Sequence, residues 1–312
     1  MKRRITPLLI TTLTALAAIS NLVAGTESDV RERILGEAIL GAGAYSFLEK
    51  ISDEYGPRMI GTEAHRASME HLETSLNELG IETRRQAFTY PGWIRGESSV
   101  DLIGPVSRDV RAVALGYVGT FPGVEGNVAY VSSKDITEFD GETIKDRILL
   151  VRRNVSYSLN DMRTLADEHG VRGMLYINRV NGGQLLARTA NRAGKAPPFP
   201  VLTITQEEGL WMKRMIEEER AVTVRISTEA ELEEFTGENL IATLPGDSGE
   251  RVILGGHFDS WDLGQGAIDN GLGVAQIYDV ARLLNKHRPE NRHTVEFVWF
   301  DAEEFGLWGS HH

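Results

Sequence analysis

Cysteine is absent from all 312 residues. Disulfides, thiolate nucleophiles and cysteine-based zinc sites are therefore excluded, and so is a lipidated cysteine behind an export signal. Positive charge is also scarce, with 33 Lys plus Arg against 45 Asp plus Glu and a net charge of −12. That balance argues against nucleic acid or an anionic membrane surface as the main partner. The uninterrupted apolar stretches fall short of the ~20 residues a membrane-spanning helix needs. A His-Glu-x-x-His segment is missing, which removes thermolysin-like chemistry. Internal repeats and low-complexity tracts are lacking as well. What is present is an ordinary globular composition, 41% hydrophobic and 25% charged, long enough for one large core or two modest ones.

The amino terminus differs from the rest. Lys2, Arg3 and Arg4 precede an apolar, threonine-containing run from Ile5 to Ile19, and Val23-Ala24-Gly25 suits a small-residue cleavage site. The pattern predicts an export signal over residues 1–25 and a secreted or periplasmic protein, the alternative being an uncleaved anchor. An exported chain without disulfides must rely on core packing, helped by metal.

Apolar residues at helical spacing predict a helix over 27–53, closed by Gly56-Pro57, and a second from the N-cap Thr62 to Leu79, stopped by Gly80. Short strands follow at Glu82–Tyr90, Ser98–Ile103 and Arg111–Tyr117. Residues 126–228 read as a self-contained block of alternating strands and helices, with a polar, Gly-rich loop at Asn181–Lys195. The charged run Glu229–Glu234 reads as a linker. Beyond it, strands at Leu240–Leu244, Arg251–His257 and Val295–Phe300 surround a helix at Leu272–Lys286. This α/β alternation predicts a helix-covered sheet whose active face lies at the strand ends.

Residues with chemical potential concentrate in the last 60 positions. Gly255-Gly256-His257-Phe258-Asp259-Ser260 closes an apolar strand. His257 and Asp259 are two apart and so share a strand face, where a carboxylate can orient a metal-binding imidazole; a solvated histidine at a strand end is the plainer reading. Asp269 sits in the glycine-flanked turn Gly264–Gly271 before a helix. It either caps that helix or bridges two cations. A phosphate cradle lacks the full glycine spacing, and Asp269 would repel the anion. Glu303 and Glu304 follow the strand ending at Phe300. They are either a first-turn acidic pair favoured by a helix dipole or a ligand next to a free base. Taken together, an imidazole, a turn aspartate and a glutamate pair at strand ends converge on one crevice. That is the donor set of a binuclear zinc site. Gly246-Asp247-Ser248-Gly249 is a tight turn between strands, and Asn154-Val155-Ser156 is a glycosylation acceptor by pattern.

The stretches Gly256-His257-Phe258-Asp259-Ser260-Trp261-Asp262, Gly266-Ala267-Ile268-Asp269-Asn270-Gly271 and Ala302-Glu303-Glu304 resemble the co-catalytic zinc exopeptidases, a family that includes bacterial leucyl aminopeptidases and plasma glutamate carboxypeptidase. Gly56–Thr62 is similar to the family's N-terminal signature, and Ser260-Trp261-Asp262 leans toward the plasma glutamate carboxypeptidase branch. Lys145–Ile148 and Gly170–Met174 resemble a protease-associated domain.

The resemblance implies a mixed-sheet α/β exopeptidase core, three-layer αβα and incomplete, carrying an inserted α+β protease-associated domain. The divisions it implies are 26–125 and 236–312 for the peptidase and 126–235 for the insert. It implies two Zn2+ ions per complete site: His257 on one, Asp269 bridging, Glu304 on the other, Glu303 as general base and Asp259 tuning His257. It implies small peptide substrates, and it leaves a homodimer open. A further Asp and His ligand would come from downstream, so the 312 residues alone are expected to bind zinc poorly and hydrolyse little. Asn270 stands where many relatives carry a second Asp. Single-zinc glutaminyl cyclisation and a non-catalytic, peptidase-like ectodomain are the competing readings.

Overall fold

The computed structural model describes residues 29–152, 155–287 and 291–312. The expected export signal and Asn154 lie outside these described residues. Helical residues 29–40 (α1) are followed after a two-residue break by α2 (Gly43–Lys50) and a wide turn over Ile51–Tyr55. The single helix expected over 27–53 is thus broken at Gly41-Ala42. Helix α3 (Glu63–Glu78) starts at the expected N-cap, where the Thr62 hydroxyl accepts from the His65 amide. Its buried face is His65, Ser68, Met69, Leu72 and Leu76, the 3.6-residue stripe that gave it away.

Two long strands replace what the sequence divides. β1 runs unbroken over Glu82–Gly104, and β8 over Thr223–Leu244; they pair antiparallel along almost their whole lengths. The Pro91-Gly92 and Gly96 positions, which read as breaks, lie inside β1 because they are crossing points. A Cβ on Gly92 would lie 2.1 Å from the Phe235 ring, and one on Gly96 would lie 2.8 Å from the Glu229 carbonyl oxygen. The charged run Glu229–Glu234, expected as a linker, is mid-strand in β8, its acidic side chains largely exposed. Solvated charge on a ribbon is compatible with strand pairing, because the backbone ladder and not the side chains holds it.

Between them come β2 (Arg108–Val110), β3 (Ala112–Ala114), β4 (Phe121–Val131), α4 (Gly141–Ile144), β5 (Ile148–Arg152), α5 (Leu159–His169), β6 (Gly173–Ile177), β7 (Val201–Ile204) and α6 (Gln206–Glu217). Strands β4, β5, β6 and β7 are parallel neighbours in that order. β6 and β7 are buried at every position and β5 at all but Arg152, as expected of a parallel sheet covered on both faces. Their core includes Leu149, Leu150, Met162, Leu165, Leu175, Leu202 and Met212, and it takes in Val100, Leu102, Leu115 and Val118 from outside 126–228.

After β8 the chain forms β9 (Arg251–His257), α7 (Leu272–His287) and β10 (Thr294–Phe300). β10 lies between β8, antiparallel, and β9, parallel. A second core joins Phe47, Met69, Leu72 and Leu76 to Leu240, Val274, Ile277, Phe297 and Trp299. The whole is a mixed-sheet α/β fold, as expected, with a strand ribbon linking two cores. The C-terminus forms a 3-10 turn, Gly309–His311, and the His312 ring stacks on Phe88.

α1 is tied to α7 by charge. Glu37 accepts from Arg282 (2.6 Å), Lys286 (2.9 Å) and His287 (2.6 Å), which hold its carboxyl down at about 2. A depressed carboxylate contributes stability that is fully present above its unfolded value near 4.5 and is lost as pH falls toward 2. Replacing Glu37 by Gln is therefore expected to flatten the stability profile between those pH values. Denaturant midpoints of wild type and variant over pH 2–6 check this; parallel profiles would refute it.

Candidate metal and catalytic site

Register explains why residues far apart in sequence meet. β9 and β10 run parallel with His257 opposite Phe300, so Phe258–Ser260 and Asp301–Glu304 leave the sheet side by side. The Phe258 amide donates to the Phe300 carbonyl at 2.7 Å. Asp259, fully buried, then joins the two segments: its carboxylate accepts from the Glu303 amide (3.0 Å) and the Glu304 amide (3.1 Å). Asp259 is thus an anchor for the glutamate pair as well as a neighbour of His257. Its carbonyl oxygen lies 3.0 Å from His257 Nδ1 and its Oδ1 3.5 Å away. Replacing Asp259 by Asn turns an amide hydrogen against one of two backbone donors. A loss of about 1–3 kcal/mol is expected, read as a lower denaturant midpoint; an unchanged midpoint would contradict it.

On its other nitrogen, His257 Nε2 is 3.2 Å from Asp269 Oδ1 and 4.0 Å from Glu303 Oε2. Asp269 does not cap α7; it sits in the wide turn Ala267–Gly271, and its side chain is mostly exposed. Asn270 donates to the His257 carbonyl at 3.1 Å, a bond that an unprotonated Asp at this position would be unable to make. Glu304 and Asp269 line one cleft of about 510 Å³ with Trp261, Leu263 and Ile268. Of the five expected site residues, Asp269 and Glu304 line this strand-end cleft, His257 lies close to Asp269 and Glu303, and Asp259 is buried against the glutamate amides. Among the described residues, however, no group of three or more His, Cys, Asp or Glu side chains is arranged closely enough to hold a metal ion.

The electrostatics are those of crowded carboxylates. Burial pushes the Glu304 carboxyl up to about 8, with Asp259, Asp269 and Glu303 adding to the effect and His257 opposing it. Burial also raises Glu303, against the pull of His257. Burial alone would lower His257, yet Asp259, Glu303 and Glu304 carry it up to about 9.

Arg58 was not singled out by sequence reasoning, although it lies in a noted stretch. It is completely buried. Its guanidinium donates to the carbonyls of Phe258 (3.0 Å), Gln265 (3.1 Å) and Gly266 (2.8 Å), and its amide to Ser260 Oγ (2.9 Å). Burial lowers its pKa to about 10, with the Asp259 charge resisting. A single arginine thereby closes the loop that joins His257 to Asp269. The available signal was a charged residue next to the apolar Met59-Ile60 pair. Asp301, buried, is held by His65 Nε2 at 2.8 Å, and Phe305 seats the turn in an aromatic cluster with Tyr90, Trp93, Tyr117 and Trp261.

Residues 239–312, which hold this crevice, match Peptidase family M28. The chain is 29% identical over 289 residues to the probable leucine aminopeptidase 2 of Trichophyton verrucosum, covering 91% of itself and 56% of that protein. It is 27% identical over 304 residues to human carboxypeptidase Q, covering 90% of itself and 63% of the relative. The chain thus spans little more than half the length of the curated relatives it matches. In fold it is similar to a peptidase M28 precursor from Shewanella amazonensis, with a TM-score of 0.77 at 23% identity over 91% of this chain and 69% of that one. A zinc aminopeptidase from Bacillus subtilis matches with a TM-score of 0.67 at 22% identity over 86% and 63%.

Proposed function

We propose that the protein is a zinc-dependent exopeptidase acting on small peptides, with Glu303 as general base. The observation that supports it best is the approach of His257 to Asp269 and Glu303 at paired strand ends, with Glu304 in the same cleft. The donors are nitrogen and oxygen, which zinc takes readily. Burial, with neighbouring carboxylates adding to it, has raised the Glu303 and Glu304 carboxyls, and a divalent cation would offset the carboxylate repulsion. His257, Asp269 and Glu304 would hold the metal, two ions in the complete site. Zinc supplies Lewis acidity to a water and to the scissile carbonyl.

The remaining steps belong to the side chains. Glu303 takes the proton of the attacking water and passes it to the leaving amine. Asp259 keeps both glutamates in place through their amides and fixes the His257 ring. Trp261, Leu263 and Ile268 provide apolar walls for a substrate side chain. The separate core around β4–β7 supports reading residues 126–235 as a protease-associated insert, and the residue pattern of 1–25 supports export. Among the described residues no helix is long and apolar enough to cross a membrane.

Release of amino acids from a panel of dipeptides and aminoacyl amides tests the proposal. Activity should vanish with a chelator, return with zinc, and be lost in His257→Ala and Asp269→Asn. Metal-independent release, or no release with zinc present from a form that also carries the expected further Asp and His ligands, would refute it.

A further inference from the structure

A second cavity lies far along the chain from the crevice, in the sheet of β4–β7. It has a volume of about 350 Å³, within the range of small-molecule pockets. The carboxyl ends of β5 and β6 and the first turns of α6 form its walls, through Arg152, Ile177, Arg179, Gln206, Leu210 and Lys213. This is where parallel sheets characteristically open a ligand crevice.

Its charge is opposite to that of the molecule. Three cations and no acid line it, in a chain of net charge −12. The acids of α6 are engaged elsewhere. Glu207 accepts from the Gly182 and Gly183 amides, and Glu208 is paired with Arg108. Lys213 is paired with Glu217 and lies over the Tyr130 ring, so its charge is partly answered. The guanidinium groups of Arg152 and Arg179 are exposed and have no side-chain partner among the described residues. The Arg179 loop is not loose: its carbonyl accepts from Gln206 at 2.8 Å, and the adjacent Asn178, buried, donates to the Gln184 carbonyl. Between the cations the lining is apolar, from buried Ile177 and half-exposed Leu210.

We infer that this cavity binds a carboxylate attached to an apolar side chain, the chemistry of a peptide's free C-terminal residue. Arg152 and Arg179 present planar donor forks that match a carboxylate's two oxygens. Ile177 and Leu210 take the side chain, and the volume suits about one capped residue. The inference stands apart from the proposed catalytic reading, since none of these residues belongs to the crevice.

Titration of the full chain with N-acetyl-leucine, followed by amide NMR shifts, tests it. Saturable one-to-one binding is expected, with shifts at residues 177–180 and 206–213. N-acetyl-leucinamide, which lacks the charge, should bind at least about tenfold more weakly. Arg152→Gln with Arg179→Gln should lose at least about tenfold in affinity, whereas Arg220→Gln, beyond the far end of α6, should not. Leu210→Ser should weaken N-acetyl-leucine but not acetate. Absence of saturable binding by the wild-type chain, equal affinity for the amide, or an unaffected double variant with native NMR dispersion would each overturn the inference. Inorganic phosphate binding as tightly as N-acetyl-leucine would overturn the carboxylate assignment.

Discussion

In a form that also carries the expected further Asp and His ligands, exchanging Glu303 for Gln is expected to lower kcat for dipeptide hydrolysis by roughly 10²–10⁴-fold, the usual share of a general base, with KM and zinc affinity nearly unchanged. The expectation follows from where Glu303 sits. Its amide is fixed to Asp259 at 3.0 Å, its carboxylate faces His257 from 4.0 Å, and burial has raised its pKa. A carboxylate of raised basicity, held beside the proposed metal ligands but not among them, is suited to take a proton. Gln has the same shape and hydrogen-bonding reach but no basicity, so only the chemical step should suffer. Steady-state kinetics beside a zinc titration of the same variant check this. A rate near wild type would remove Glu303 from the chemistry, and zinc lost together with activity would make it a ligand.

Arg58→Met should cost about 3–5 kcal/mol of stability, the range for removing one member of a buried charged network. Three backbone carbonyls, of Phe258, Gln265 and Gly266, lose a charged donor at once. Asp259 also loses a guanidinium with which it interacts electrostatically in this buried region. Met fills much of the volume, so the loss reports hydrogen bonding and charge more than a cavity. Arg58→Lys keeps the charge but not the planar fork, and should fall between wild type and Met. Denaturant midpoints at constant slope give the comparison. A Met variant within about 1 kcal/mol of wild type would mean that solvent or other groups readily satisfy those carbonyls.

Some of the molecule was legible because the signal is local. Thr62 and the stripe to Leu76 announce α3, and the apolar runs Ile148–Val151 and Gly173–Ile177 announce buried strands. The pattern His257-x-Asp259, Asp269 in a glycine turn, and Glu303-Glu304 named the chemistry through residue type and proximity to strand ends. The β1–β8 ribbon was not legible. Pro91, Gly92, Gly96 and the acidic run of β8 carry the usual marks of turns and linkers, and only pairing between strands more than a hundred residues apart overrides them. Arg58 escaped for the same reason: its partners lie some two hundred positions away.

From the sequence alone came the element types, the absence of thiol chemistry, and the nitrogen and oxygen donors gathered near the C-terminus. Only the tertiary structure decided that His257 faces Asp269 and Glu303, that Asp259 anchors the glutamate amides, and that Arg58 closes the loop between them. The reason is physical. Helix period and side-chain chemistry are encoded in neighbouring residues, whereas the parallel register of β9 against β10, and the burial that shifts these carboxyls, exist only once distant segments pack.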